Sequence, residues 1–428
     1  MATSNSSGVQ PPGAEDAVVT TPEHIREAIG DLISRHWHPE HALTEWRQVL
    51  AGSGWAAPSW PTQWFGRGLP AWADEVAAAE ILRLGAVGAP VGSGMSLAAP
   101  TILSHGSDAV RDRFLLPTLI GTETWCQLFS EPGAGSDLAG ATTTAVLDGD
   151  EWVVNGQKVW NTSAHHADLG ILVARTDWTV PKHRGLTYFV IPMRQPGVTV
   201  QPLRQMNGHS SFNEVFLTDA RIPRDWVVGG VGGGWAAALT TLAHERRFGG
   251  MGRPRYATTA GRALDEAHEE ADRHFATYSW YPQRAGRPDL LAERARAAGR
   301  HDDPVVRDEI ARVITMQRIA GWTGERARQG RALGRPPGAE GSVGKLAMSD
   351  VARLAAHAHA AIAAADAMLG VPDADPVVAE VLISVPGQSI AGGTDEIQRN
   401  ILGEQSLGLP REPAPDRDLA FRDTRRNS

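Results

Sequence analysis

Two short stretches carry residue types and spacings that can do chemistry: Trp125-Cys-Gln-Leu-Phe-Ser-Glu-Pro-Gly-Ala-Gly-Ser-Asp137 and Asn155-Gly-Gln-Lys-Val-Trp-Asn-Thr162. In the first, Pro132, Gly133 and Gly135 make a turn whose backbone can come close to a ligand and line up N–H groups on an anion. The second reads as a hairpin that sets an aromatic ring, Trp160, and a hydroxyl, Thr162, two residues apart on one strand face. Either stretch alone is an ordinary Gly/Pro turn between strands. Together, in this order, they can cradle a pyrophosphate, cover a flat ring and hydrogen-bond its edge, which is what a flavin site requires.

These residues resemble the signature of the acyl-CoA dehydrogenase family. The resemblance implies FAD held by Gln127, Leu128, Phe129, Ser130, Gly135 and Ser136 and by Trp160, Asn161 and Thr162. It would place Trp160 over one flavin face, Thr162 near N5, Ser130 at the pyrimidine edge, and Ser136 near the pyrophosphate and the pantetheine arm of an acyl-CoA. The run Gly392-Gly-Thr-Asp-Glu-Ile-Gln-Arg-Asn400 is similar to the family as well. By that likeness Gly393 would touch substrate, and Thr394, Asp395 and Glu396 would hold FAD. A helix opening on the N-cap residue Thr394 presents free N–H groups that suit phosphate or ribose.

Placed on a helix, Trp235 to Phe248 gives an apolar stripe of Trp235, Leu239 and Leu242, with Arg246 in its middle and Glu245 at its edge. A carboxylate and a guanidinium near a buried face are costly unless paired or useful. In many family members the base that takes the α-proton is a Glu directly before the Gly-Thr of the C-terminal motif, where this chain has Gly392. A smaller branch, including enzymes similar to isovaleryl-CoA dehydrogenase, carries it on the first bundle helix just ahead of an Arg, the position of Glu245-Arg246. The resemblance thus implies Glu245 as base, with Ala243, His244, Glu245 and Arg246 contacting substrate. Gly392 would donate its backbone N–H to the thioester carbonyl and acidify the α-proton.

The activity so implied is α,β-dehydrogenation of an acyl-CoA to the trans-2-enoyl-CoA, with hydride passing to flavin N5 and electrons then to an electron-transfer flavoprotein. A glycine at 392 is compatible with branched, long or bulky acyl chains. Two other readings stand beside it: a flavin oxidase or monooxygenase of the same fold, and a non-catalytic partner subunit of a heteromeric enzyme. The last draws on a departure from the family pattern, since Thr277 to Arg300 holds no Arg-x-x-Phe-Gly motif, and the loop near Gly370 to Pro376 replaces an expected Gly-Gly turn.

The elements that must position these residues follow from periodicity. Pro22 to Leu119 is helical in pattern, notably Ala71–Leu84 and Asp108–Pro117. From Thr142 the period shortens: Asp148-Gly149 and Asn155-Gly156 are hairpin dipeptides, and Leu186–Ile191, Val198–Leu203 and Glu214–Leu217 read as strands. Gly230-Val-Gly-Gly-Gly-Trp235 follows no parallel-strand unit and is a linker rather than a dinucleotide loop. Helices resume at Trp235–Arg247, Pro304–Arg328, Gly341–Leu369 and Pro376–Ser384, with a last one after Thr394. The fold class expected is α+β, acyl-CoA dehydrogenase-like: flexible tail 1–21, N-terminal helical domain 22–124, β-barrel middle domain 125–233, C-terminal four-helix bundle 234–410, and a tail or interface arm 411–428.

With 428 residues, 42% hydrophobic and 21% charged, the chain has room for two or three domains with large cores. Its net charge of −8 disfavours a nucleic-acid partner. The single cysteine, Cys126, excludes an internal disulfide framework and a Cys-rich zinc site, which points to a reducing, cytoplasmic setting. No apolar run reaches membrane-spanning length. No metal is expected: His268 to His274 has the wrong spacing for a zinc-binding helix, and His357 and His359, on different helix faces, read as surface histidines. Dimers or tetramers, of one or two chain types, are the assemblies the resemblance implies.

Overall fold

The N-terminal helices lie where capping and periodicity agree. The computed structural model describes residues 21–245, 253–256, 260–332, 338–369 and 376–424. Helix α1 (Pro22–His36) begins at Thr21, whose hydroxyl accepts from the His24 N–H, and buries Ile25, Ile29 and Ile33 on one face. Then come α2 (Leu43–Gly52), α3 (Trp72–Arg83), α4 (Ala99–His105) and α5 (Asp108–Ile120). Helix α5 continues past Pro117 and stops at Gly121, which takes the left-handed conformation, φ 82°, that ends helices at little cost.

One mixed sheet follows: β1 (Trp125–Leu128), β2 (Thr144–Asp148), β3 (Glu151–Thr162), β4 (Leu169–Arg175), β5 (Leu186–Pro192), β6 (Val198–Leu203), β7 (Phe212–Pro223) and β8 (Val227–Val228). The strand order is β6-β7-β3-β2-β4-β5-β8, with β1 parallel beside β4. Strands β4 and β5 are buried on both faces. Ile171, Val173, Tyr188 and Val190 join a core with Phe114 and Leu115 of α5, while Leu172, Ala174, Phe189 and Ile191 join a second core with Val154, Val215, Leu217 and Ile222. That second core is built from the sheet itself, so the sheet curls over its own side chains in the barrel-like way the sequence suggests.

Only one of the two hairpin dipeptides makes a turn. Gly149 lies between β2 and β3, with φ 61°. Asn155-Gly156 instead sits inside β3, at a bulge against β7 between Val154 and Gly156. Asn155 donates from Nδ2 to Asp219 Oδ1 (3.0 Å) and accepts at Oδ1 from the Asp219 N–H (2.9 Å). A Cβ at position 156 would come within 2.4 Å of Thr143 Oγ1. The pair is there for a bulge and a close approach, which use the same residue types as a turn.

The glycine run is a connection, as read, and leads into α6 (Gly234–Glu245). A Cβ on Gly234 would lie 2.5 Å from the Thr187 carbonyl carbon, so the helix start is pressed onto β5. The buried face of α6 is Gly234, Ala237, Ala238 and Thr241, not the expected Trp235-Leu239-Leu242 stripe. Leu239 is 44% exposed, and Trp235 and Leu242 are only partly buried. Small residues win that face because they let the helix backbone approach the sheet closely. Arg246 and Arg247 lie outside the described residues.

Helix α7 (Arg262–Ala276) buries Ala263, Leu264 and Ala267 in the core of α1, α2 and α3. Both α6 and α7, counted by sequence with the C-terminal bundle, therefore pack in the first of two compact units: Met1–Leu203, Ser211–Thr277 and Asp416–Ser428. The C-terminal segment expected as a tail or arm is not free along its length. Phe421 is buried, its N–H donates to Val180 O (2.9 Å), and the Arg422 N–H donates to Trp178 O (3.1 Å). The expected N-terminal tail lies, but for Thr21, outside the described residues.

The second unit, Arg204–Ser210 and Tyr278–Pro415, is helical: α8 (Tyr281–Arg284), α9 (Leu291–Ala297), α10 (Pro304–Ala332), α11 (Glu340–Ala363), α12 (Asp366–Leu369), α13 (Pro376–Ser384), α14 (Pro386–Ile390) and α15 (Asp395–Gln405). Val306 and Val313 of α10 pack with Ala355, Ala358 and Ile362 of α11. His357 is exposed, but His359, read as a surface histidine, is fully buried. Its Nε2 meets Arg287 O at 3.1 Å and its Nδ1 faces the Arg294 guanidinium, which satisfies both ring nitrogens inside the bundle. Residues 370–375, where the sequence replaces an expected Gly-Gly turn, lie outside the described residues.

Candidate active site

The two motif stretches are joined side by side. The Val159 N–H donates to Ser130 O (2.9 Å), Asn161 Nδ2 donates to Gln127 O (2.8 Å), and Asn213 Nδ2 donates to Asn161 O (2.8 Å). Beneath them, Lys158 Nζ donates to Glu131 Oε1 (2.8 Å), Phe129 O (3.0 Å) and Val173 O (2.8 Å), with no exposure of the lysine. Glu131 also accepts from the N–H groups of Thr142 and Thr143 and from the Thr142 hydroxyl. Burial pushes the Glu131 carboxyl up, but the Lys158 charge and these donors outweigh it and hold it at about 2. Sequence reasoning assigned neither residue a role, although both sit inside the quoted motifs.

Above this pair, Glu131 and Ala134 exchange N–H to O bonds of 3.0 and 3.1 Å around Pro132-Gly133. Gly135 and Ser136 stand exposed beyond the turn. Leu128 and Phe129 are buried, whereas Gln127, Ser130 and Thr162 are half-buried. Trp160 is 56% exposed, with φ 62° at a bulge between Lys158 and Asn161, and its ring meets Phe212 edge-on at 5.7 Å. Asn161 Oδ1 is buried with no hydrogen-bond partner in the protein. Three features fit a flavin: an exposed indole held by its backbone, an orphaned buried acceptor beside it, and an open glycine turn. Cys126 is no rival nucleophile, since burial pushes its thiol well above the ordinary range.

Helix α6 brings the carboxylate of Glu245 to this motif. Gln127 Nε2 donates to Glu245 Oε2 at 3.5 Å, the long end of hydrogen bonding. One turn earlier, Thr241 Oγ1 lies 2.8 Å from Thr101 Oγ1 and 3.0 Å from the Tyr188 hydroxyl, all buried. Tyr188 also sets its ring edge-on to Phe129 at 5.8 Å. A single β5 side chain therefore touches both the first motif stretch and the helix of Glu245. No spacing in the sequence signals Tyr188 or Thr241. Ala243 and His244 lie beside Glu245 on α6 and are half-buried.

In the second unit, Thr394 caps α15 by accepting from the Ile397 N–H (3.3 Å). Gly392 and Gly393 take φ 67° and 83°, and Gln398 Nε2 donates to both of their carbonyls. The Asp395 carboxylate is buried and turned inward. Lys345 Nζ (2.6 Å), Ser349 Oγ (2.8 Å) and Arg353 Nη1 (2.6 Å) all donate to it from successive turns of α11. These cations hold its carboxyl well below the usual range despite burial. Glu396 is exposed beside Arg399.

Comparison with known proteins decides the family. Residues 20–122, 126–220 and 290–407 match the N-terminal, middle and C-terminal domains of acyl-CoA dehydrogenases. The chain is 36% identical over 374 residues to the acyl-CoA dehydrogenase IpdE1 of Mycobacterium tuberculosis, covering 86% of this chain and 88% of that protein. This chain belongs to the acyl-CoA dehydrogenase family. It is an FAD-dependent oxidoreductase of lipid metabolism, with the α+β architecture the motifs implied. It is also 35% identical over 197 residues to the human mitochondrial short-chain specific acyl-CoA dehydrogenase, 45% of this chain and 47% of that one. Among solved structures, a chain of the ChsE4-ChsE5 complex from Mycobacterium tuberculosis is similar, with TM-score 0.59 and 25% identity over 93% of this chain and 100% of that one. Among the described residues no helix is long and apolar enough to cross a membrane.

Proposed function

We propose that this chain removes the α-proton of an acyl-CoA thioester with Glu245 as the β-hydride leaves, giving the trans-2-enoyl-CoA. The observation that carries the reading is the 3.5 Å contact between Gln127, which opens the motif, and the Glu245 carboxylate. A bound FAD supplies the hydride acceptor. Gln127, Ser130, Ser136, Trp160, Asn161 and Thr162 would hold it, with Leu128, Phe129 and Gly135 shaping the strand and turn. Glu245 takes the proton onto an oxygen, and the Gln127 amide keeps that carboxylate aimed and partly neutralised until it does so.

Resemblance extends the proposal to Gly392 and Gly393 for substrate, and to Thr394, Asp395 and Glu396 for cofactor. Since the Asp395 carboxylate is spent on Lys345, Ser349 and Arg353, its contribution would come through its backbone N–H. Arg246, outside the described residues, stays in the proposal as a substrate contact beside Ala243 and His244. A bulky or branched acyl group, an electron-transfer flavoprotein as acceptor, a dimeric or tetrameric assembly of one or two chain types, and a cytoplasmic setting complete it.

The test is Glu245→Gln, loaded with FAD and mixed anaerobically with acyl-CoA. A positioned base contributes ~10²–10⁴-fold, and flavin reduction should fall by about that factor while FAD and acyl-CoA stay bound. Near-normal reduction would refute the assignment. Air exposure of the reduced wild-type protein tests the acceptor: rapid reoxidation with peroxide release would favour an oxidase.

A further inference from the structure

The Glu131 loop is held a second time, by a residue outside both motifs. Arg175, at the end of β4, is 1% exposed. It donates from Nε to Ala141 O (2.9 Å), from Nη2 to Ala139 O (2.6 Å) and from Nη1 to Lys182 O (3.1 Å). Ala139 and Ala141 are the exit of the loop that carries Gly135 and Ser136, and Lys182 Nζ pairs with Asp137 of the same loop at 2.8 Å. Two of these three carbonyls thus lie at the exit of the turn, and the third belongs to the lysine paired with its Asp137.

A guanidinium keeps such neutral carbonyl bonds only where water does not compete for its donors and its face is covered. The cover is Phe421, whose ring centroid lies 3.5 Å from the Arg175 guanidinium carbon, with Trp178 at 5.6 Å. The Phe421 and Trp178 rings lie 5.4 Å apart, and the segment is fixed by main-chain bonds to Val180 and Trp178. We infer that Phe421 is a positioning residue for the cofactor loop, acting through Arg175 from the far end of the chain to keep Gly135 and Ser136 in ligand-ready shape. This rests on the reading that the loop holds the FAD pyrophosphate.

The test uses the full chain with Phe421→Ala, Phe421→Trp and Arg175→Lys, and with Ile29→Val as a control destabilised in the α1 core. In the FAD-free protein, amide hydrogen exchange across Gly133 to Thr143 should quicken in Phe421→Ala and Arg175→Lys, and remain slow in Phe421→Trp and Ile29→Val. In FAD titrations the first two should bind roughly tenfold more weakly, the scale of a desolvated cation–π contact, and Phe421→Trp should recover. Unchanged exchange and FAD affinity in Phe421→Ala, or an equal loss in Ile29→Val at matched melting temperature, would overturn the inference. If exchange responds as stated but the wild-type chain takes up no FAD, the strap stands and the flavin reading of the loop falls.

Discussion

Lys158 and Glu131, one from each motif stretch, form a buried ion pair at 2.8 Å with side-chain exposures of 0% and 5%. The pair ties the strand that presents Trp160 to the turn that presents Ser136. Lys158→Met leaves a carboxylate buried without its counter-charge, a loss on the order of 3–5 kcal/mol. A melting temperature within a degree or two of wild type would show that Glu131 finds another partner.

The same pair sets a pH dependence. The Glu131 carboxyl is held at about 2 in the folded chain against an ordinary 4.5. Its stabilisation is therefore complete above about pH 4.5 and lost as pH falls toward 2. Glu131→Gln should flatten that stretch of the stability curve in acid unfolding experiments, besides lowering stability throughout. An acid limb as steep as in wild type would assign it to other carboxylates.

Trp160→Ala should weaken FAD retention, since a stacked indole buries ring surface and excludes water, and Trp160→Phe should restore part of it. Unchanged occupancy and flavin spectrum would remove Trp160 from the site. Thr162→Val should keep flavin yet slow its reduction, because only a hydrogen bond is lost. A normal reduction rate would place Thr162 away from the reacting edge.

Tyr188→Phe removes only the hydroxyl that meets Thr241 beneath α6. The expected loss is about 1 kcal/mol of stability, with slower flavin reduction and unchanged FAD affinity, since the ring against Phe129 remains. Equal slowing in a variant destabilised elsewhere would mean that Tyr188 does not position Glu245.

The family and much of the helix periodicity were legible in the sequence because they depend on local motifs and spacing. The pairing of the two motif stretches, α3, the Thr394 cap and the order of helix, sheet and helix all follow from them. Burial that depends on distant partners was not legible. Asn155-Gly156 has turn composition, yet Asp219 and Thr143 make it a bulge. The face of α6 turned on alanines that weigh little in a hydropathy pattern but allow close approach. His359 is interior because Arg294 and the Arg287 carbonyl, dozens of residues away, satisfy its nitrogens.

Trp160 is more than half exposed and sits on a left-handed backbone, φ 62°, with Phe212 edge-on to its ring. A β-branched residue pays most in that conformation, and asparagine or glycine least. Mutational drift at this position is consequently channelled. Valine, isoleucine and threonine are barred by main-chain sterics before any ligand is considered, and the residues easiest for the backbone are those that surrender the ring. Under the proposed role, selection on the bound cofactor is what keeps an aromatic there against the backbone preference, so the side chain found at 160 in a related sequence becomes a readout of that role.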